Sequence, residues 1–168
     1  LNFNRIEDNE DSLLILSRIE LVSFSHSLFS VYEEDKRLTF LFETNKAKIY
    51  ADMDAIKLGV ILDSLLSNAV KFTPDGGSIR LSLFYREETG LVDICVSDTG
   101  SGIPPRDIPY IFQRFFQSPH SGNKEGTGIG LYLVKTYTEL HGGHITGVTS
   151  EEGKGTSVGL NIPVIAVE

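Results

Sequence analysis

Three short stretches hold residue types and spacings that could do chemistry. The first is Asp98-Thr99-Gly100-Ser101-Gly102-Ile103. Val92, Ile94 and Val96 alternate just before it, and a period of two puts Asp98 on their apolar face. A carboxylate at the end of such a face is costly unless donors meet it. Either the strand stops at Ser97 and Asp98 opens a turn, or the carboxylate accepts a hydrogen bond from the amine of a buried ligand. Gly100 and Gly102 allow close backbone approach. Ile103 and the rings of Phe112, Phe115 and Phe116 could wall a pocket or be ordinary core. The second stretch is Gly126-Thr127-Gly128-Ile129-Gly130-Leu131, which opens a helix. Free N–H groups and the positive end of the dipole at a helix start suit phosphate oxygens. A flexible hinge before a helix reads the same way. The stretch lacks both the preceding strand of a dinucleotide fold and the Gly-Lys-Ser/Thr ending of a P-loop. The third is Asn68-Ala69-Val70-Lys71-Phe72, with Asn68 and Lys71 on one side of a helix. An amide oxygen can ligate Mg²⁺ and a lysine can meet phosphate. The same pair also suits a solvated helix flank.

These residues need a scaffold, and the rest of the chain predicts one. Leu13 to Glu20 reads as a short strand and Leu21 to Glu34 as a helix, with Leu21, Phe24, Leu28 and Val31 three and four apart. Arg37 to Tyr50 reads as a strand hairpin with Thr44-Asn45 near its turn. Asp52 or Asp54 can cap the next helix, whose Leu58, Ile61, Leu62, Leu65, Ala69 and Phe72 keep a 3.6-residue period until Pro74-Asp75-Gly76-Gly77. Strands follow at Ile79 to Tyr85 and Leu91 to Ser97. A polar loop spans Gln117 to Gly126, then a helix runs from Thr127 to His141. Two last strands cover His144 to Ser150 and Thr156 to Ile162. The hairpins favour a two-layer α/β sandwich: a mixed, mostly antiparallel sheet with helices on one face.

Composition narrows the classes. With 168 residues, 40% of them hydrophobic, the chain can bury one sizeable core. A net charge of −8 without a basic stripe argues against a nucleic-acid partner. It does not argue against an anionic ligand, since backbone N–H groups bind phosphate regardless of net charge. The single cysteine, Cys95, excludes an internal disulfide and reads as a buried structural thiol in a reducing, cytoplasmic compartment. No apolar run approaches the roughly 20 residues that span a bilayer. The start at Leu1 fits an excised fragment whose parent could still carry a membrane segment.

The order of the motifs says more than any one of them. Asn-Ala-Val-Lys-Phe-Thr-Pro, Asp-Thr-Gly-Ser-Gly-Ile-Pro, Ile-Phe-Gln-Arg-Phe-Phe and Gly-Thr-Gly-Ile-Gly-Leu closely resemble the four boxes of sensor histidine kinase catalytic domains. The resemblance runs from about Ile19 to Pro163. It implies the Bergerat ATP-binding fold, with ATP and Mg²⁺ as cofactors and a mobile lid over the nucleotide. It implies that Asn68 ligates Mg²⁺ and Lys71 contacts phosphate, with Phe72 near the adenine. Asp98 would take the adenine amino group, with Gly100, Gly102 and Ile103 lining the base pocket. Phe112 and Phe115 would anchor the lid. Gly126, Thr127, Gly128, Ile129, Gly130 and Leu131 would cradle the phosphates. Thr156 would support Asp98, with a water as one route. Residues 1–10 would be the remnant of a preceding dimerisation helix or linker, and 11–168 the catalytic domain.

The implied reaction is transfer of the γ-phosphoryl group to a histidine on a separate dimerisation and phosphoacceptor domain, with a response regulator downstream. The fragment alone would be a monomer. The alternative is a degenerate module that binds nucleotide or a partner without transfer, and a clamp-type ATPase or a serine-directed kinase of the superfamily is a third reading. Two departures bear on this choice. Relatives often carry asparagine where this chain has Ser64, and clamp-type ATPases carry glutamate there; a serine cannot serve as that general base. Many relatives carry arginine where this chain has Gln117. Phe24-Ser25-His26 only superficially looks like an acceptor box and lies too close to Asn68, so no catalytic residue is assigned within the chain.

Overall fold

The computed structural model describes residues 13–117 and 128–168. The proposed N-terminal remnant, Gly126, Thr127 and most of the polar loop lie outside them. In chain order the elements are β1 (Leu16–Glu20), α1 (Leu21–Tyr32), β2 (Thr39–Thr44), β3 (Ile49–Asp54), α2 (Ala55–Phe72), β4 (Ser78–Arg86) and β5 (Leu91–Asp98). A 3-10 turn (Ile108–Tyr110) follows, then α3 (Gly130–Leu140), β6 (His144–Glu151), β7 (Gly155–Pro163) and β8 (Ala166–Val167). Five strands form a sheet in the order β2-β4-β5-β7-β6, and three form a second in the order β1-β3-β8. Among the described residues only β2 and β4 pair in parallel. The expected mixed, mostly antiparallel sheet is therefore present, divided in two.

Alternation decides which side of the larger sheet is core. Ile79, Leu81, Leu83, Val92, Ile94, Val96, Leu160 and Ile162 face inward and are almost wholly buried. They pack under Leu58, Ile61, Leu62, Leu65, Leu66 and Ala69 of α2 in one continuous cluster. Each such Leu or Ile contributes roughly 1.5–3 kcal/mol by leaving water. A bulge between Ile145 and Gly147 lets Ile145 and Val148, three residues apart, both meet β7 from the inner side. Cys95 stands on the other face, in register with Ser82 and Gly159, and is half-buried. This corrects the expectation of a buried thiol: period two that buries Val96 turns Cys95 outward.

The hairpin expected over Arg37–Tyr50 does not form. β2 lies parallel to β4, while β3 joins β1 and β8. The linking residues turn toward β4 rather than back on β2. Asn45 donates through its side-chain amide to the Tyr85 carbonyl and accepts from the Tyr85 N–H. Rings decide the rest: Phe40 and Phe42 both lie 5.8 Å from Phe29 of α1, while Ile49, Ala51 and Met53 are wholly buried on β3.

The helix that carries Asn68 and Lys71 is held at both ends. Asp54, not Asp52, caps α2: its carboxylate accepts from the N–H groups of Lys57 and Ile15. Those N–H donors, Ile15 foremost, hold this carboxyl below its ordinary range. His141 closes the joint, with Nε2 accepting from the Asp54 N–H at 3.0 Å and Nδ1 donating to the Tyr137 carbonyl at 2.6 Å. At the far end the Arg37 guanidinium donates to the carbonyls of Val70 and Thr73 and to Asp35 and Asp75. A guanidinium at the last carbonyls satisfies groups that have no intrahelical donor.

Candidate functional site

A cleft of about 770 Å³ opens where α2, the end of β5 and the start of α3 converge. Its floor is Leu65 and Ala69 from α2 with Val96 and Val158 from the sheet; Ile103, Pro104, Ile111 and Phe116 add apolar wall. Asp98, the last residue of β5, lies at one end, in register with Ile79 on β4 and Thr156 on β7. The strand runs through Asp98 rather than stopping at Ser97, and a turn follows it. Its Oδ1 accepts from the Gly100 N–H at 2.8 Å, a turn contact, and from the Thr156 N–H at 3.2 Å. Among the described residues no donor reaches Oδ2, on a side chain that lines the cleft. Burial pushes this carboxyl above its ordinary value, against the pull of the two N–H groups.

The loop after Asp98 is pressed onto the end of α2. Ser101 donates its N–H to the Phe72 carbonyl at 3.0 Å. A Cβ at position 100 would stand 2.6 Å from that carbonyl oxygen and 2.8 Å from Asp98 Oδ1, so only glycine fits. The Ile103 N–H donates to Ser150 Oγ, and the Gly153 N–H to the Ser101 carbonyl. These bonds tie the β6–β7 end of the sheet to the same loop.

At the opposite end, backbone replaces side chains. Gly128 has φ +72°, and the Phe115 N–H donates to its carbonyl at 2.8 Å. A Cβ there would sit 2.6 Å from the Phe115 carbonyl carbon. α3 begins two residues later, which is why the helix starts at Gly130 and not at Thr127 as expected. Its first intrahelical bond runs from the Leu133 N–H to the Ile129 carbonyl, so the preceding N–H groups have no intrahelical carbonyl to meet. Between the two ends α2 acts as a ruler. At 1.5 Å per residue, Asn68 lies about 6 Å and Ser64 about 12 Å along the helix from Phe72. All three line the cleft, as does Lys71, whose ammonium sits 5.2 Å from the Phe72 ring centroid.

The structure thus brings ten of the expected residues to one cleft: Asn68, Lys71, Phe72, Asp98, Gly102, Ile103, Gly128, Gly130, Leu131 and Thr156. Gly100 acts from beneath, through its N–H. Ile129 is the N-cap of α3 and does not line the cleft. Phe112 packs against the core, and Phe115 is 63% exposed; Phe116 lines the cleft instead. Sequence reasoning missed Pro104, Arg106, Ile111 and Glu152 in the lining, and it missed Ser150 behind Thr156. Only the strand register could have exposed that last position.

The family described as histidine kinase-, DNA gyrase B-, and HSP90-like ATPase matches residues 53–166. The chain belongs to this family. In this ATPase family member, the matched span contains every cleft-lining residue named above. Sensor histidine kinase WalK of Bacillus subtilis (strain 168) is 32% identical over 160 residues, covering 93% of this chain and 26% of its own length. The chain therefore spans about a quarter of that curated relative. Among solved structures, full-length ShkA in complex with AMPPNP superposes with a TM-score of 0.78 at 26% identity, over 93% of this chain and 33% of that one. ThkA in complex with response regulator protein TrrA has a TM-score of 0.73 at 22% identity, over 90% of this chain and 42% of that one, a likeness of fold. These matches agree with the expected α/β architecture.

Proposed function

We propose that this chain is the ATP-binding catalytic module of a sensor histidine kinase, which holds Mg²⁺-ATP and delivers the γ-phosphoryl group to a histidine on a separate helical domain. One observation carries the reading: one cleft has at one end a carboxylate oxygen that meets no donor among the described residues and at the other a glycine-flanked helix start, with Asn68 and Lys71 between. Asp98 accepts from the adenine amino group. The N–H groups at the start of α3 meet the phosphates, and Lys71 adds a point charge. Among the described residues no three His, Cys, Asp or Glu side chains gather. The Asn68 amide oxygen, which lines the cleft, would be the chain's donor to Mg²⁺, with phosphates and waters supplying the rest, a donor set this cation accepts. When bound, the ion neutralises charge on the transferring group.

Ser64 stands where an activating base would need to be, and a hydroxyl is no general base. That favours delivery to an external histidine over attack by water. Catalysis by this chain is then positioning of the triphosphate. The acceptor domain would be the parent's dimerisation helices, and a response regulator would follow, the class of partner seen with ThkA. No described helix is long and apolar enough to cross a membrane, and we place the module in the cytoplasm.

The test is calorimetric titration with AMPPNP and Mg²⁺, followed by γ-labelled ATP with the parent's helical domain added. Saturable binding and acid-labile label on the added domain are expected. Absence of binding by the folded chain overturns the reading, and steady phosphate release by the chain alone would make it an ATPase.

A further inference from the structure

The end of α3 remote from the cleft is tied by a side chain that plays no part in the nucleotide reading. α2 and α3 run antiparallel and meet at both ends. At the cleft, Gly130 opens α3 against Ser64: a Cβ there would stand 3.5 Å from the Ser64 hydroxyl oxygen. At the other end, His141 is the C-cap of α3 and bonds to the residue that caps α2. Its Nε2 accepts from the Asp54 N–H at 3.0 Å, and its Nδ1 lies 2.6 Å from the Tyr137 carbonyl. A carbonyl can only accept, so Nδ1 carries the ring proton. A backbone N–H can only donate, so Nε2 keeps its lone pair. Both bonds exist for one species, the neutral imidazole with its proton on Nδ1. A second proton would sit on Nε2 and face the Asp54 N–H, donor against donor. The Asp54 carboxylate attracts such a proton, but it already accepts from the N–H groups of Ile15 and Lys57 and has the Lys57 ammonium at 3.7 Å. That ammonium lies 5.1 Å from the Tyr137 ring centroid and disfavours a second cation at the joint. Glu139 on α3 and His144 on β6 are exposed to solvent. The chain entering β1 meets Asp54 with Ile15 and Leu16, which do not titrate.

We infer that His141 is a positioning residue for the phosphate end of the cleft: as a neutral imidazole it pins the end of α3 to the start of α2, and protonation releases it. The inference rests on the nucleotide reading and adds control by protons to it. α3 is 11 residues long, and its start is flanked by Gly128 (φ +72°) and Gly130. Glycines give little resistance to a change of helix direction. With the remote end released, the N–H groups at the start of α3 lose their fixed place against Asn68 and Lys71 on α2. The base end is built from β5, β7 and the loop after Asp98. Release of α3 should therefore weaken the hold on phosphate and spare the hold on the base. The sign follows from the bonds. The tied state accepts only the neutral ring, while the released state takes either form. The tie is thus intact at neutral pH and lost as pH falls through the range in which histidine titrates.

The experiment is calorimetric titration of the whole chain with adenosine diphosphate and with adenosine, Mg²⁺ present, at about pH 7.5 and about pH 5.5. Three forms are compared: unaltered, His141→Gln and His141→Ala. A glutamine amide has an oxygen to accept the Asp54 N–H and takes up no proton in this range. The phosphates and Asp98, whose carboxyl burial pushes up, also titrate. His141→Gln shares both, so the difference between forms isolates the ring. At the higher pH the unaltered chain and His141→Gln should bind the diphosphate alike. At the lower pH the unaltered chain should lose about threefold to tenfold more affinity than His141→Gln, the size of one hydrogen bond. His141→Ala should bind the diphosphate weakly at both. Adenosine should bind all three forms alike at each pH. If His141→Ala does not fold, the other two forms decide. Parallel losses in the unaltered chain and His141→Gln, or matching losses for adenosine and the diphosphate, overturn the inference and leave the nucleotide reading standing. An unaltered, folded chain that binds neither ligand at the higher pH overturns the reading and the inference together.

Discussion

At the Asp98 end of the cleft, the side-chain oxygens of Asp98, Thr156 and Ser150 stand in register across three strands. At the Gly128 end the groups are backbone N–H donors at a helix start, with Lys71 and Asn68 nearby on α2. Under the proposed function the first end would tell one base from another, because an acceptor set against an acceptor is penalised. The second reads negative charge, which any polyphosphate supplies. The contrast separates identity from affinity: changes at the sheet end should alter which base binds, and changes at the helix end should alter how strongly any phosphate chain binds.

The largest break should come from Gly100→Val, which puts carbon 2.6 Å from the Phe72 carbonyl oxygen. We expect roughly 1–3 kcal/mol of lost stability from forced overpacking, seen by urea unfolding, and no nucleotide binding at the sheet end.

Asp98→Asn should follow, with about a 10- to 100-fold loss of affinity for the adenine nucleotide. The N–H groups of Gly100 and Thr156 require oxygen at the Oδ1 position. The new amide NH₂ then replaces Oδ2, and the preference between inosine and adenosine diphosphate should move toward inosine. Stability should change the other way. Burial raises the native Asp98 carboxyl above its unfolded value. In that window the native state binds more protons than the unfolded one, so this group's contribution falls as pH rises through it, and the loss persists to neutral pH. Asp98→Asn should flatten that slope and leave the ligand-free chain more stable at neutral pH, as urea unfolding across the acid range would show.

Lys71→Met probes the opposite end. Affinity for the diphosphate should fall on the order of threefold to tenfold at low salt and less at high salt. Adenosine binding and the adenine-to-inosine ratio should stay put; a changed ratio would mean that the two ends are not separable. Arg37→Ala should do least. It frees the last carbonyls of α2, so a slightly lower unfolding midpoint and a small, equal loss for both nucleotides are expected.

Much of the cleft is legible in the sequence because its parts are periodic or punctuated. Asp98 falls on the core face by counting twos from Val92, and Asn68 with Lys71 by counting along an amphipathic helix. The glycines at 100, 102 and 128 announce close approaches that the structure contains. The misses share a cause. Phe115 and Phe116 are both rings in one run, and only the left-handed backbone at Phe115, paired with Gly128, turns one out and the other in. β2 and β3 both look like halves of a hairpin, and tertiary contacts, those of Asn45 with Tyr85 and of Phe40 and Phe42 with Phe29, send them to separate sheets.

Local pattern alone therefore determined the helices, the strands, the ordered motifs and the family to which they belong, because periodicity and turn chemistry act within a few residues. The tertiary structure decided which strand lies beside which, and with it the row Asp98, Thr156, Ser150. These residues are up to 58 positions apart, and no local rule relates them. Register between β5, β7 and β6 sets which polar groups meet at that end of the cleft, and register is a property of the packed sheet.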